Sequence, residues 1–264
     1  MTEDSADDAP ADPVEFQALP RRVQERIRAA AREAVLMAQR KTVPVIIAPP
    51  PSVLGEFNSA SGSLVRFGGD SYLATADHVI DKYEKRRASE GNTVLQVGDA
   101  VLTLDGRHIW RDSEIDAALV RLTVDEVNAI AVPPDSAPNG WPPPLPAVGD
   151  YVLVAGYPKI GREQLGPAKV FFKAMSARFH VTAVGNHHLI CQWERTDFIN
   201  FGGPEIPEPG TDLGGLSGGP VFLERRLSYP LVGVISQFQE GFELLRVALF
   251  AGASDIAGET DCNC

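Results

Sequence analysis

The 264 residues carry 24 Lys and Arg against 35 Asp and Glu, a formal net charge of -11 that argues against a nucleic-acid-binding surface. With 44% hydrophobic and 22% charged residues the chain reads as ordinary globular protein, neither fibrous nor wholly disordered, long enough for one large domain or two small ones. The absence of a basic, then apolar leader and of any run of about 18 apolar residues predicts no membrane association and a cytoplasmic location, and three cysteines are too few for a disulfide framework.

In chain order, residues 1–13 (MTEDSADDAPADP) form an acidic tail with too little apolar surface to offset the entropy of ordering it, and they are expected to stay disordered. From 14 to 43 the residues Phe16, Leu19, Val23, Ile27, Ala30, Ala34, Met37 and Ala38 recur at steps of three and four among Arg, Glu and Gln. That spacing predicts an amphipathic helix from about Pro20 to Lys41, with Pro44 just beyond its end. The helix is expected to pack on the rest of the chain or to bind a regulatory protein partner.

Beyond Pro44 the texture changes to short runs of Val, Ile, Leu, Phe and Tyr between Gly, Pro, Asn and Asp clusters, which read as strands. Strands are predicted at 45–48, 61–67, 71–76, 93–97, 100–103 and 117–122 in a first unit spanning 44–131. A second unit, 148–250, has predicted strands at 151–156, 170–182, 188–193, 220–223, 231–237 and 244–249. Between them lies a connector at 132–147, whose prolines cannot donate ladder hydrogen bonds; a tail at 251–264 ends the chain. Many short strands favour antiparallel sandwiches or barrels over a parallel α/β sheet.

The segment GGLSGGPVF at 214–222 packs glycines around one serine. A nucleophilic serine needs a tight turn, with backbone N-H groups aimed where oxyanion charge develops; the N-H groups of Gly215 and Ser217 are the candidates. A glycine-rich hairpin would carry the same composition. Upstream, SYLATADHVI at 71–80 is an apolar strand that stops at His78, and a helix-like stretch follows at 79–87. Asp116 directly precedes the apolar run at 117–122, where a carboxylate is costly unless paired, for example with an imidazole N-H. Nearby Asp112 and Glu114 do not adjoin that strand. A histidine, a carboxylate and a serine are the three groups that acyl transfer by a Ser-His-Asp triad requires.

The blocks TADH at 75–78, DAAL at 116–119 and GLSGGP at 215–220 resemble the signatures of trypsin-like serine peptidases, over roughly residues 52–249. The VGDYVLVAGYP run at 148–158 is similar to the strand that opens the second barrel of bacterial-type members. The resemblance implies an all-β fold of two antiparallel six-stranded barrels, here with an added N-terminal helix. It also implies a protein or peptide substrate, no cofactor, and catalysis by Ser217, His78 and Asp116. By the same resemblance Thr211 and Asp212 fall near the base of a substrate pocket, and Ser236 and Phe238 on the strand that lines it. Leu216 stands where animal digestive members carry Asp, so a mature N-terminus has no obvious acceptor there. A peptide-binding or scaffolding pseudo-protease is the second reading. The other histidines (His108, His180, His187 and His188) lack metal-ligand spacing, and adjacent His187 and His188 would face opposite sides of a strand, so no metal is expected.

Overall fold

The computed structural model describes residues 18–49, 56–136, 141–166, 169–192, 208, 211–225, 228–239 and 243–253. The acidic tail at 1–13, the first residues of the helical region and the tail bearing Cys262 and Cys264 lie outside them.

The predicted amphipathic helix is α1 (Arg21–Arg40), with Pro20 as its N-cap. It buries Ala34, Val35 and Ala38 in its last turns and packs on β9 (Tyr151–Gly156) and β12 (Met175–Val184). Ser176 Oγ donates to the Val35 carbonyl at 3.3 Å, and Thr42 Oγ1 takes up the Ala38 carbonyl at 2.7 Å. The chain then enters β1 (Thr42–Ala48), so Pro44 lies within a strand instead of merely ending the helix. The proline is tolerated there because β4 (Val94–Val97) joins β1 only from Val45 onward.

The first half is an eight-stranded sheet and the second a closed barrel. The sheet runs in the order β5 (Ala100–Leu102), β4, β1, β2 (Asn58–Phe67), β3 (Asp70–Thr75), β7 (Ala117–Leu122), β6 (Ile109–Asp112), with β8 (Asp135–Ser136) parallel to β2. The barrel closes through β12, β13 (His188–Gln192), β16 (Leu244–Leu249), β15 (Leu231–Gln239), β14 (Pro220–Leu223) and β9. The expectation of two closed six-stranded barrels is therefore corrected: the first sheet curls but stays open, because its end strands β5 and β6 do not pair. Side chains hold that region where a ladder does not. Arg107, between the two end strands, donates to the Arg121 carbonyl at 2.7 Å and grips Glu126 at 2.7 and 2.8 Å. Glu126 belongs to α3 (Val124–Ile130), whose capping box with Thr123 is present in full. Ile80 and Tyr83 of α2 (Asp77–Glu90) and Ile130 of α3 share one apolar core with Leu95, Val97 and Leu102.

Other differences from the expected elements are local. The predicted strand at 170–182 is two elements, β11 (Lys169–Phe172) and β12, since β11 folds back on β10 (Arg162–Gly166). On β9, Val152 and Val154 face the barrel core, while Leu153 and Ala155 face outward into a cluster shared with α1 and with Phe67, Tyr72 and Leu119 of the first sheet. That shared cluster joins the halves.

Removing the methyl pair of Val35, 1% exposed, and placing a carboxylate there would leave an unpaired charge against β9 and β12. Val35→Asp is expected to lower unfolding free energy by about 3 kcal/mol or more. Ile27→Asp, at a position 44% exposed on the same helix, should change it by no more than about 0.5 kcal/mol. Denaturant titration of the two variants checks both values.

Candidate active site

His78 enters the site as the second residue of α2, where its backbone N-H is one of the donors a helix start leaves unpaired. The N-cap, Ala76, has no side chain able to take it up. Asp116 does so from another element: its Oδ1 accepts from the His78 N-H at 2.9 Å. The same carboxylate meets the imidazole, with Nδ1 at 3.0 Å from Oδ1 and 2.8 Å from Oδ2. A carboxylate can only accept, so Nδ1 carries a proton, and in the neutral imidazole Nε2 then presents the lone pair. Asp116 holds this pose from the left-handed region, at φ 64°, uncommon for a residue other than glycine. Asp112 Oδ1 supports the turn before it, accepting from the N-H groups of Glu114 at 2.9 Å and Ile115 at 3.2 Å. Of the three acids between 112 and 116, Asp116 meets His78, Asp112 braces the turn, and Glu114 lines the cavity described below.

Ser217 sits in a turn between the residues before β14 and β14 itself, where Leu216 N-H bonds the Leu213 carbonyl at 3.2 Å and Gly219 N-H bonds the Leu216 carbonyl at 2.8 Å. The turn lies hard against the first sheet. Ser61 N-H donates to the Ser217 carbonyl at 2.8 Å, Ser61 Oγ donates to the Gly215 carbonyl at 2.7 Å, and Tyr157 N-H donates to Ser61 Oγ at 2.8 Å. A Cβ on Gly218, which has φ +80°, would lie 2.2 Å from Thr75 Oγ1 and 2.3 Å from the Ser61 carbonyl oxygen. Only glycine fits there. Gly215 is buried at φ +100°, and among the described residues neither its N-H nor that of Ser217 donates a hydrogen bond. Leu216 is buried in the barrel core, 2% exposed.

Ser217, His78 and Asp116 line one cavity of about 470 Å³. Asp116 and His78 are bonded; no hydrogen bond joins Ser217 to His78. Asp212, Ser236 and Phe238 also line the cavity, whereas Thr211 does not, its hydroxyl donating to the Glu208 carbonyl at 2.6 Å. Sequence reading missed Ser113, Glu114, Gln237, His188 and Arg246, all in the lining. His188 Nε2 lies 3.0 Å from the carbonyl of Ile115, next to Asp116. Burial first, then the Arg246 charge, lowers its pKa. Only the strand periodicity of β13 and β16 could have pointed to His188 and Arg246, and it does not tell which face meets the cleft. Among the described residues no group of three His, Cys, Asp or Glu could hold a metal, and no helix is long and apolar enough to cross a membrane.

Ser61 is fully buried and bonds both halves, so Ser61→Ala leaves the Tyr157 N-H and the Gly215 carbonyl without their partner. The expected loss of stability is about 1–3 kcal/mol for each group left unpaired. Thermal unfolding measures it, and unchanged stability would show that the halves are held by other contacts.

The family model of the trypsin-like peptidase domain matches residues 60–233, from β2 to β15, a span that contains His78, Asp116 and Ser217. Among solved structures, the active form of the Rv3671c protease from M. tuberculosis is 17% identical, with 89% of this chain and 87% of that chain covered and a TM-score of 0.48. The thermostable serine protease AL20 from an extremophilic microorganism is 14% identical, covering 85% of this chain and 99% of that one, with a TM-score of 0.49. The protease Anisep from Arthrobacter nicotinovorans is 13% identical over 80% of this chain and 90% of that one, with a TM-score of 0.47. No curated protein matches the chain. With most of its length matched by the family model, this chain belongs to the trypsin-like peptidase family.

Proposed function

We propose that the protein is a serine endopeptidase acting through Ser217, His78 and Asp116. The observation that carries the reading is the Asp116 to His78 contact, 2.8 Å at Nδ1, in the same cavity as a serine held on a glycine turn. Asp116 fixes the tautomer that leaves Nε2 able to take a proton. Ser217 Oγ attacks the carbonyl carbon of a peptide bond while Nε2 accepts its proton, and the N-H groups of Gly215 and Ser217 stabilise the charge developing on the carbonyl oxygen. His78 then returns the proton to the leaving amine, and water, activated by the same imidazole, hydrolyses the acyl-enzyme. The Ser217 to His78 bond missing here is one that tightens when substrate is bound.

Phe238 and Ser236 would form one wall of the substrate site and Asp212 the other. Asp212 Oδ1 accepts the Gly214 N-H at 2.7 Å, which ties it to the nucleophile turn. Leu216 offers no carboxylate to a new N-terminus, so the site needs no proteolytic maturation through that position. The rival reading, a peptide-binding module without turnover, takes the unbonded Ser217 and His78 as the resting and permanent state.

Two variants separate these readings. Fluorophosphonate reacts with an activated serine, forming an oxygen-phosphorus bond with loss of fluoride; wild-type protein should be labelled at Ser217, located by mass spectrometry, and Ser217→Ala should not be labelled. Absence of labelling in both would favour the binding module. Asp116→Asn keeps the shape but offers an amide where Nδ1–H needs an acceptor, and turnover near neutral pH should fall by about 10⁴-fold. A loss below tenfold, measured as kcat/KM on a quenched peptide, would remove Asp116 from the mechanism.

A further inference from the structure

Arg246, on β16, lines the same cavity as Ser217, half-buried, and among the described residues it forms no salt bridge. The other half-buried arginines show how unusual this is. Arg86, Arg87, Arg107, Arg111, Arg178 and Arg225 each hold a carboxylate at salt-bridge distance. Arg162 is the remaining exception, but its guanidinium already meets Ser59 Oγ and lies 5.2 Å over the Phe57 ring.

Arg246 is held in place from behind. Its Nη2 donates to His188 Nδ1 at 3.3 Å, and His188 Nε2 donates to the Ile115 carbonyl at 3.0 Å. A carbonyl can only accept, so His188 is protonated at Nε2 and neutral, with Nδ1 as the acceptor. One of the five guanidinium donors is thereby used, and the side chain is oriented from β13. Among the described residues no other side chain pairs with its remaining donors, which face a group that enters the cleft. Arg246 pairs across the ladder with Gln237, whose strand also carries Ser236 and Phe238 along the cavity wall.

We infer that Arg246, oriented by His188, binds a carboxylate of the peptide substrate, giving the cleft a preference for acidic peptides. The inference rests on the peptidase reading and names its substrate class. Three acidic residues share the lining and would act against it. Asp116 is engaged by His78, Asp212 accepts the Gly214 N-H and lies 3.9 Å from Lys159, and Glu114 is exposed, where solvent and salt screen it. Arg246 is less exposed and so less screened, and a guanidinium matches a carboxylate with two parallel hydrogen bonds.

The test uses the full chain and pairs of quenched peptides that differ only by Glu or Gln at one position near the scissile bond. At one position Glu should raise kcat/KM about tenfold or more, the size expected of one charge-assisted hydrogen bond. Arg246→Gln should bring that ratio close to one, and Arg246→Glu should turn the preference toward Lys. The same peptides, labelled for anisotropy, are titrated into Ser217→Ala protein, with the C-terminus either free or amidated. This arm reads binding without turnover and tells a side-chain carboxylate from a terminal one. A wild-type protein indifferent to Glu and Gln in both assays, or a preference that survives in Arg246→Gln, overturns the inference while leaving the peptidase reading intact. Acid-selective binding that Arg246→Gln abolishes, without any hydrolysis, supports the carboxylate site and removes the peptidase reading. Absence of both binding and hydrolysis overturns the two together.

Discussion

The close backbone approach of β2 to the nucleophile turn is the constraint on which the site depends. Ser61, buried completely, gives its N-H to the Ser217 carbonyl and its hydroxyl to the Gly215 carbonyl, while its own carbonyl accepts from Thr75 Oγ1 at 2.9 Å. Thr75 ends β3, and the helix bearing His78 begins two residues later. One serine thus ties the turn of Ser217 to the strand that leads into the base. The glycines of the turn follow from this contact, because a Cβ at Gly218 would occupy the space that Ser61 and Thr75 fill.

Around that contact the two halves share an apolar seam. Phe67 stacks on Tyr72 at 4.5 Å and on Trp141 at 4.2 Å between ring centroids, and Trp141 meets Phe250 at 5.4 Å. Trp141 belongs to the connector, and its Nε1–H donates to the Ala253 carbonyl at 2.9 Å. The proline-rich segment is thereby more than a tether: its indole joins the first sheet to the end of the closed barrel. The seam also receives Ala34, Val35 and Ala38 of α1, which makes the helix part of the core that fixes the two halves in relation to one another.

The two halves solve the same edge problem in different ways. The barrel closes on itself and leaves no unpaired strand edge. In the first sheet β5 has three residues, and Arg107 with the helix α3 holds the region between its ends. An ion pair and a capped helix there replace ladder hydrogen bonds, and the cleft is built without a second closed barrel because the strands that lead to His78 and Asp116, β3 and β7, pair with each other well inside the sheet.

Local patterns made much of this legible in sequence. The three- and four-residue apolar step located α1 to within a residue at each end, several strands matched their predicted bounds, and the Gly-rich run marked the turn of Ser217. Thr123 and Glu126 even carried a capping-box signal for α3 that went unread. These features are set by residues near in sequence, through periodicity and turn chemistry. What tertiary structure alone decided depends on partners far apart: the bond from Ser61 to Gly215 spans 154 positions, that from His188 to Ile115 spans 73, and whether β5 meets β6 is a matter of strand curvature and end contacts. The sequence could name His78, Asp116 and Ser217 as chemically apt. That Arg246 turns toward the cleft without an acidic partner among the described residues follows from the packing of whole sheets, since a strand pattern gives two faces and leaves their surroundings to the fold.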